Sequence, residues 1–278
     1  MSRKKECHYF CHQDIDLQLF ERKFWPVRSL EDYQNFFHED GITKVWGESS
    51  PMYLYYTQAA QRILDKIPEC RMIAVLRDPV DRAFSAYTHA VRDELEPLPF
   101  LDAISAEDQR LEEGSITPLQ AYVECGKYGE KLAPYFERFS RDQILVIPYS
   151  EVRRCLPSVL RQVCKFLGVD QDYQFEIKPR LNRSGVPKRR WIQRMVQSAC
   201  DDAFPYNIIK RPFTNHAWIR TVKGIEFWNY RLMKLDEADR MEVLPMFRED
   251  ARKLDLLLGS TYSDEWGLNS NPSDTLVN

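Results

Sequence analysis

At 278 residues with 44% hydrophobic side chains, the chain is long enough to bury the core of one α/β domain, and residues 1–278 are read as that single domain. A formal net charge of −3 excludes a general nucleic-acid binder, whose backbone-driven affinity needs a basic field, so any anion site must be local. Seven scattered cysteines make no disulfide framework, no apolar run is long enough for a membrane span, and no apolar stretch follows the basic N-terminus as in a signal peptide; the expectation is a cytoplasmic protein in a reducing compartment.

The first predicted element is a helix capped by Ser29 and running to about Phe37, with Glu31 and Asp32 placed to suit its dipole. Ile42 to Trp46 reads as a short strand, Gly47 to Pro51 as a loop, and Met52 to Ile67 as a helix from the spacing of Leu54, Ala59, Ile63 and Ile67. A second strand-loop-helix unit follows. Arg71 to Leu76 is a short apolar strand, Arg77-Asp78-Pro79 breaks the run, and Pro79 opens a helix extending to Arg92. Phe100 to Glu113 reads as a charged surface helix and Tyr128 to Phe139 as an amphipathic one. Gln143 to Ile147 makes a third strand, and Leu156 to Leu167 a helix stopped by Gly168. This alternation predicts an α/β fold with a central parallel sheet and right-handed crossovers. Beyond Asp170 comes a basic loop, residues 178–194, with seven Lys or Arg and no acid, within which Trp191 begins a helix to Cys200. Residues 201–234 are rich in aromatics and carry no assigned element, and Glu237 to Leu258 reads as a long helix that Pro245 kinks or splits.

The chemistry-bearing residues lie where strands hand over to helices. In open α/β sheets ligands collect at the carboxyl ends of parallel strands, and the Arg77 guanidinium offers a planar fork of donors to phosphate oxygens there. Ser85 adds a hydroxyl about two turns into the following helix; the plain alternative is an Arg77–Asp78 salt bridge. Glu48, just past the first predicted strand and on the same sheet edge, reads from the residues alone first as a carboxylate favouring the N-terminus of the helix from Met52, with a general base as the alternative. In the basic loop Arg183, Lys188 and Arg189 suit phosphates or an anionic acceptor, or simply face solvent. Cys7, His8, Cys11 and His12 stand together, but no second ligand pair has zinc-like spacing, so no metal is expected. Trp218, Phe227, Trp228 and Tyr230 read as core, with sugar stacking as the alternative.

The string LRDPVDRAFSAY, residues 76–87, closely resembles the 3′-phosphate motif of sulfotransferases that use 3′-phosphoadenylyl sulfate (PAPS). GESSPMYL, residues 47–54, is similar to the GEKSPSYL-type motif of glycan and bacterial members, with Ser49 in place of the lysine. CGKYGEKLAPYFERFSRDQILVIPYSEV, VCKFLGV, RLNRSGVPKRR and DARKLDLLLGSTYSDEW resemble further family segments, so the likeness runs from Lys4 almost to the end. It implies a P-loop-NTPase-like three-layer fold and transfer of a sulfuryl group from PAPS, as co-substrate without a metal, to a hydroxyl or amine acceptor, carbohydrate or another hydroxyl compound. The same resemblance makes Glu48 the base, Arg77 and Ser85 the 3′-phosphate clamp, and the loop of Arg183, Lys188 and Arg189 a cover over the nucleotide. Family members normally begin with a strand and a P-K-S-G-T-T loop that cradles the 5′-phosphosulfate, and no such string occurs in this sequence. The expectation is an N-terminally truncated sulfotransferase domain with impaired activity; the alternatives are a non-catalytic PAP- or PAPS-binding relative, an inactive fragment, or an interaction protein that uses its basic loop.

Overall fold

Two parallel strands organise the chain in the computed structural model, which describes residue 2 and residues 6–16, 27–37, 43–177, 186–200 and 215–269. Helix α1 (Leu30–Gln34) starts where Ser29 accepts a hydrogen bond from the Asp32 amide at 3.0 Å, and turn bonds carry the chain on to Phe37. The strand predicted over 42–46 is a correction: residues 43–50 take neither strand nor helix, and Ile42 lies outside the described residues. Trp46 sets its ring edge-on to Phe37 at 6.1 Å, so this apolar run is used in side-chain packing rather than in the sheet.

The helix predicted over 52–67 is two, α2 (Met52–Tyr55) and α3 (Ala59–Lys66), because Tyr56 leaves helical geometry at φ −88° and ψ 83°. The break lets α2 return Tyr53 toward Glu48 while α3 buries Ala59, Ala60 and Ile63. Strand β1 (Met72–Leu76) delivers the chain into α4 (Pro79–Arg92). Asp78 caps α4, its Oδ1 accepting from the amides of Val80 at 2.9 Å and Asp81 at 3.0 Å, and Pro79 occupies the first turn where its missing N–H costs nothing.

The next predicted helix also divides, into α5 (Phe100–Ser105) and α6 (Glu107–Glu112), with Glu107 turned inward to accept the amides of Val123 and Glu124, each at 2.8 Å. Helix α7 (Tyr128–Phe136) is shorter than predicted, turn bonds continuing to Phe139. Strand β2 (Ile144–Pro148) pairs in parallel with β1, Met72 opposite Ile144 and Leu76 opposite Pro148. Short helix α8 (Tyr149–Arg154) leaves β2 directly, and α9 (Leu156–Leu167) ends at Gly168, whose φ of +71° is the left-handed conformation that such a stop requires.

A second ribbon, β3 (Val186–Pro187) with β4 (Tyr230–Arg231), is antiparallel and closes a hairpin of α10 (Arg190–Cys200) and α11 (Asn215–Asn229). The final helical stretch is split at Pro245 as the sequence predicts: α12 (Glu237–Val243), a 3₁₀ turn, then α13 (Arg248–Leu258), followed by α14 (Tyr262–Glu265).

Three apolar clusters hold these elements. The largest joins Leu76, Val80, Tyr122, Phe247, Leu254 and Leu268, so β1 and α4 are packed under the C-terminal helices. A second surrounds Phe10, Tyr33, Ile63 and Tyr135, and the third lies inside the α10/α11 hairpin. Helices α7 and α13 touch at Gly129, where a Cβ would stand 2.6 Å from the Asp250 carbonyl oxygen. The Asp250 carboxylate in turn accepts the amides of Gly129 and Glu130, each at 2.8 Å, and so caps α7 from another helix.

Candidate active site

Glu48 sits half-buried in an irregular segment, held by hydroxyl groups from three directions. Its Oε1 accepts from the Tyr53 phenol at 2.5 Å and from the Tyr33 phenol at 3.2 Å, and its Oε2 from the Ser50 hydroxyl at 2.7 Å. The local chain explains the arrangement. Pro51 opens the turn that brings Tyr53 back, α1 supplies Tyr33, and the His8 amide donates to Ser50 Oγ at 3.0 Å. Tyr9 stacks on Tyr33 at 4.8 Å and Phe10 meets the rings of both tyrosines edge-on, which fixes the phenols.

Burial, reinforced by the Glu48 charge, raises the Tyr33 and Tyr53 phenols far above the usual range, so both keep their protons and donate. The same burial, with Asp14 and Glu48 adding, pushes the Cys11 thiol up to about 12. The carboxylate therefore faces groups that remain neutral. With Oε1 taking two phenols and Oε2 one hydroxyl, Oε2 is the oxygen with more capacity left for an incoming proton.

Arg77 stands at the carboxyl end of β1, and its guanidinium lies 5.9 Å from the centre of the Tyr149 ring, which begins α8 at the carboxyl end of β2. Both parallel strands thus lead to one edge. The salt bridge weighed from sequence, Arg77 with Asp78, is not the one formed: Asp78 is taken by its capping bonds and by Arg240, at 2.5 Å between Nη2 and Oδ2. Arg77 instead lies 3.5 Å from Asp81, which Arg240 shares at 3.2 Å, and its side chain is 37% exposed. An arginine held this loosely, in a solvent-accessible position, retains donors for an anion. Two turns along α4 Ser85 is half-buried, and its backbone carbonyl accepts from the Thr88 hydroxyl at 2.8 Å. Burial lowers the pKa of His89 on the same helix, the Arg92 and Arg77 cations adding to the effect and Asp93 opposing it.

The remaining predicted residues divide. Ribbon β3 packs against α4, which brings the segment leading to Lys188 and Arg189 alongside the helix of Ser85. Lys188 donates from Nζ to the Trp228 carbonyl at 2.9 Å and lies over the Trp228 ring, whereas Arg189 is exposed, its backbone amide donating to Asn229 Oδ1 at 3.1 Å. Arg183 lies outside the described residues. The strand predicted just before Glu48 does not form, and Glu48 is held instead by Tyr33, Tyr53 and Ser50. The sequence reading missed Tyr33: it stands 15 positions before Glu48, and no local pattern links them. Tyr53 was visible only as a matching letter in GESSPMYL. Among the described residues no group of His, Cys, Asp and Glu is arranged to hold a metal ion.

Comparison with known proteins matches residues 50–179 to the Sulfotransferase domain family, a span that includes Arg77 and Ser85 and begins just after Glu48. The Bifunctional heparan sulfate N-deacetylase/N-sulfotransferase 3 of Mus musculus is 28% identical over 172 residues, which are 58% of this chain and 19% of the relative. Heparan sulfate glucosamine 3-O-sulfotransferase 3B1 of Mus musculus is 27% identical over 122 residues, 44% of this chain and 30% of the relative. The chain thus spans less than a third of the length of these curated relatives. A crystal structure of a sulfotransferase from Alicyclobacillus acidocaldarius superposes with a TM-score of 0.55 at 31% identity, over 79% of this chain and 87% of that one. With a solved relative matched over nearly its whole length, and the family's signature falling on the strand and helix that carry Arg77, this chain belongs to the sulfotransferase family.

Proposed function

We propose that the chain transfers a sulfuryl group from PAPS to a hydroxyl or amine of a carbohydrate acceptor, with Arg77 and Ser85 holding the 3′-phosphate and Glu48 acting as base. The observation that carries this reading is Arg77 itself, set at the joint carboxyl edge of two parallel strands, beside the Tyr149 ring and 3.5 Å from Asp81, with its side chain 37% exposed. In the reaction the acceptor oxygen or nitrogen forms a bond to sulfur, the bond from sulfur to the 5′-phosphate oxygen breaks, PAP departs, and the acceptor proton passes to Glu48 Oε2. Arg189, exposed beside α4, and Arg183 would cover the nucleotide. Lys188 is the weaker member of that group, its ammonium being engaged by Trp228. Relatives named for amine and hydroxyl sulfation of heparan sulfate support a glucosamine-bearing glycan as acceptor.

A second reading, a PAP-binding relative that does not turn over, is favoured by GESSPMYL, which carries Ser49 where the family motif has a lysine. In sulfotransferases that use PAPS, a loop of backbone donors cradles the 5′-phosphosulfate. Without the loop's donors the rate falls on the order of 10²- to 10³-fold.

Titration calorimetry with PAP, run beside a transfer assay using labelled PAPS and glucosamine-bearing glycans, tests both readings. Arg77→Ala should weaken PAP binding about 10- to 100-fold, the loss expected for charged hydrogen bonds. Glu48→Gln should leave PAP binding unchanged and slow transfer at least about 10²-fold. Binding without transfer by the unsubstituted chain selects the second reading, and absence of PAP binding sinks both.

A further inference from the structure

The α10/α11 hairpin carries an apolar surface that the transfer site does not use. Ile192 and Val196 of α10 meet Trp218 and Val222 of α11 in a private core, and the Trp218 indole donates to the Ala199 carbonyl at 3.3 Å, which fixes the antiparallel alignment. At about 100° per residue, Trp191 and Met195 fall one turn apart on one flank of α10, and Ile225 and Trp228 fall at the matching angle on α11. Because the helices run in opposite directions, both flanks lie on the same side of the hairpin. The other side of α10 bears Gln193, which is only 2% exposed.

That shared side is bare: Trp191 is 57% exposed, Trp228 62%, and Met195 and Ile225 each 46%. Leu232, just beyond the ribbon, is 67% exposed. The exposed cations Arg194, Arg220 and Arg231 lie on the same two helices and their ribbon, in a chain whose net charge is −3. Arg194 is anchored at 2.8 Å on Glu94 at the end of α4, which ties the hairpin to the body.

We propose that this face docks the protein on the surface of an anionic lipid bilayer. Two tryptophans with Met195 and Ile225 on one side, and arginines exposed on the same helices, are the composition of a helix that lies in the headgroup region, with cations reaching lipid phosphates. A glycan would stack on the tryptophan rings but gains little from Met195, Ile225 and Leu232, so the aliphatic part favours lipid. No helix among the described residues is long and apolar enough to cross a membrane, so the hairpin lies on the bilayer in its plane.

The test is co-sedimentation of the full chain with sucrose-loaded phosphatidylcholine vesicles, with and without about a quarter phosphatidylglycerol. Partitioning should require the anionic lipid, fall as salt is added, and drop about tenfold or more in Trp191→Ser/Trp228→Ser and in Arg220→Glu. All three side chains are exposed, so thermal melting should be unchanged. The proposal is overturned if the unsubstituted chain stays in the supernatant at low salt, or if the substituted chains sediment with anionic vesicles as it does. Retention on an immobilised sulfated polysaccharide, lost in the same variants while vesicles bind none of them, would assign the face to a glycan instead.

Discussion

Tyr53 donates its phenolic proton to Glu48, and burial with the adjacent negative charge keeps that proton in place. The pair differs from a surface contact, because the acceptor is charged and the ring is wedged against Phe10. Tyr53→Phe keeps the ring and removes the hydroxyl, which donates to Glu48 and accepts from the Phe10 amide at 3.4 Å, so it should cost about 1–3 kcal/mol in urea unfolding. If Glu48 is the base, loss of its clamp should also lower kcat for sulfate transfer about 10- to 100-fold. PAP affinity should stay as it was, since Arg77 is held by other groups. A Tyr53→Phe chain with full transfer activity would show that the phenol matters only to packing.

Among the elements, the contact of α7 with α13 is the least forgiving. A methyl group at Gly129 would press on the backbone of α13, with the Asp250 oxygen at 2.6 Å and the Leu254 nitrogen at 2.8 Å, and neither can move without that helix. Gly129→Ala should therefore cost about 1–3 kcal/mol, read as a fall in the urea midpoint with the slope unchanged. The sequence foretold the elements whose ends are written locally. Asp78-Pro79 starts α4, Gly168 stops α9, and Pro245 divides the last helical stretch. It misjudged those shaped by distant partners: the apolar run from Ile42 to Trp46 packs against Phe37 instead of pairing, and the helices around Tyr56 and Ala106 break so that Tyr53 and Glu107 can reach backbone or carboxylate partners. The candidate site followed the same division. Arg77 was legible because strand, break and helix are contiguous, whereas the Tyr33 contact to Glu48 depends on how two separate segments meet over the second core.

In the whole molecule, the parallel sheet among the described residues has two strands, and Ile73 and Val75 on one face of β1 are open to solvent. Parallel sheets are ordinarily covered on both faces, and an uncovered apolar strand invites association with another chain. Val75→Thr should change the unfolding free energy by less than about 0.5 kcal/mol and reduce self-association in light scattering; a large destabilisation would mean that Val75 is covered after all. Arg240 adds a different constraint. It reaches back 162 positions to Asp78 and joins Asp81 and the Trp266 carbonyl in one knot around the turn that presents Arg77. On the ribosome, that knot stays untied until Arg240 and Trp266 have emerged, long after Asp78. A nascent chain stopped short of residue 240 can form the capped start of α4 but not its final clamp, so Arg77 acquires its finished setting only after a segment 162 positions beyond Asp78 has been made, and not when its own strand and helix first appear.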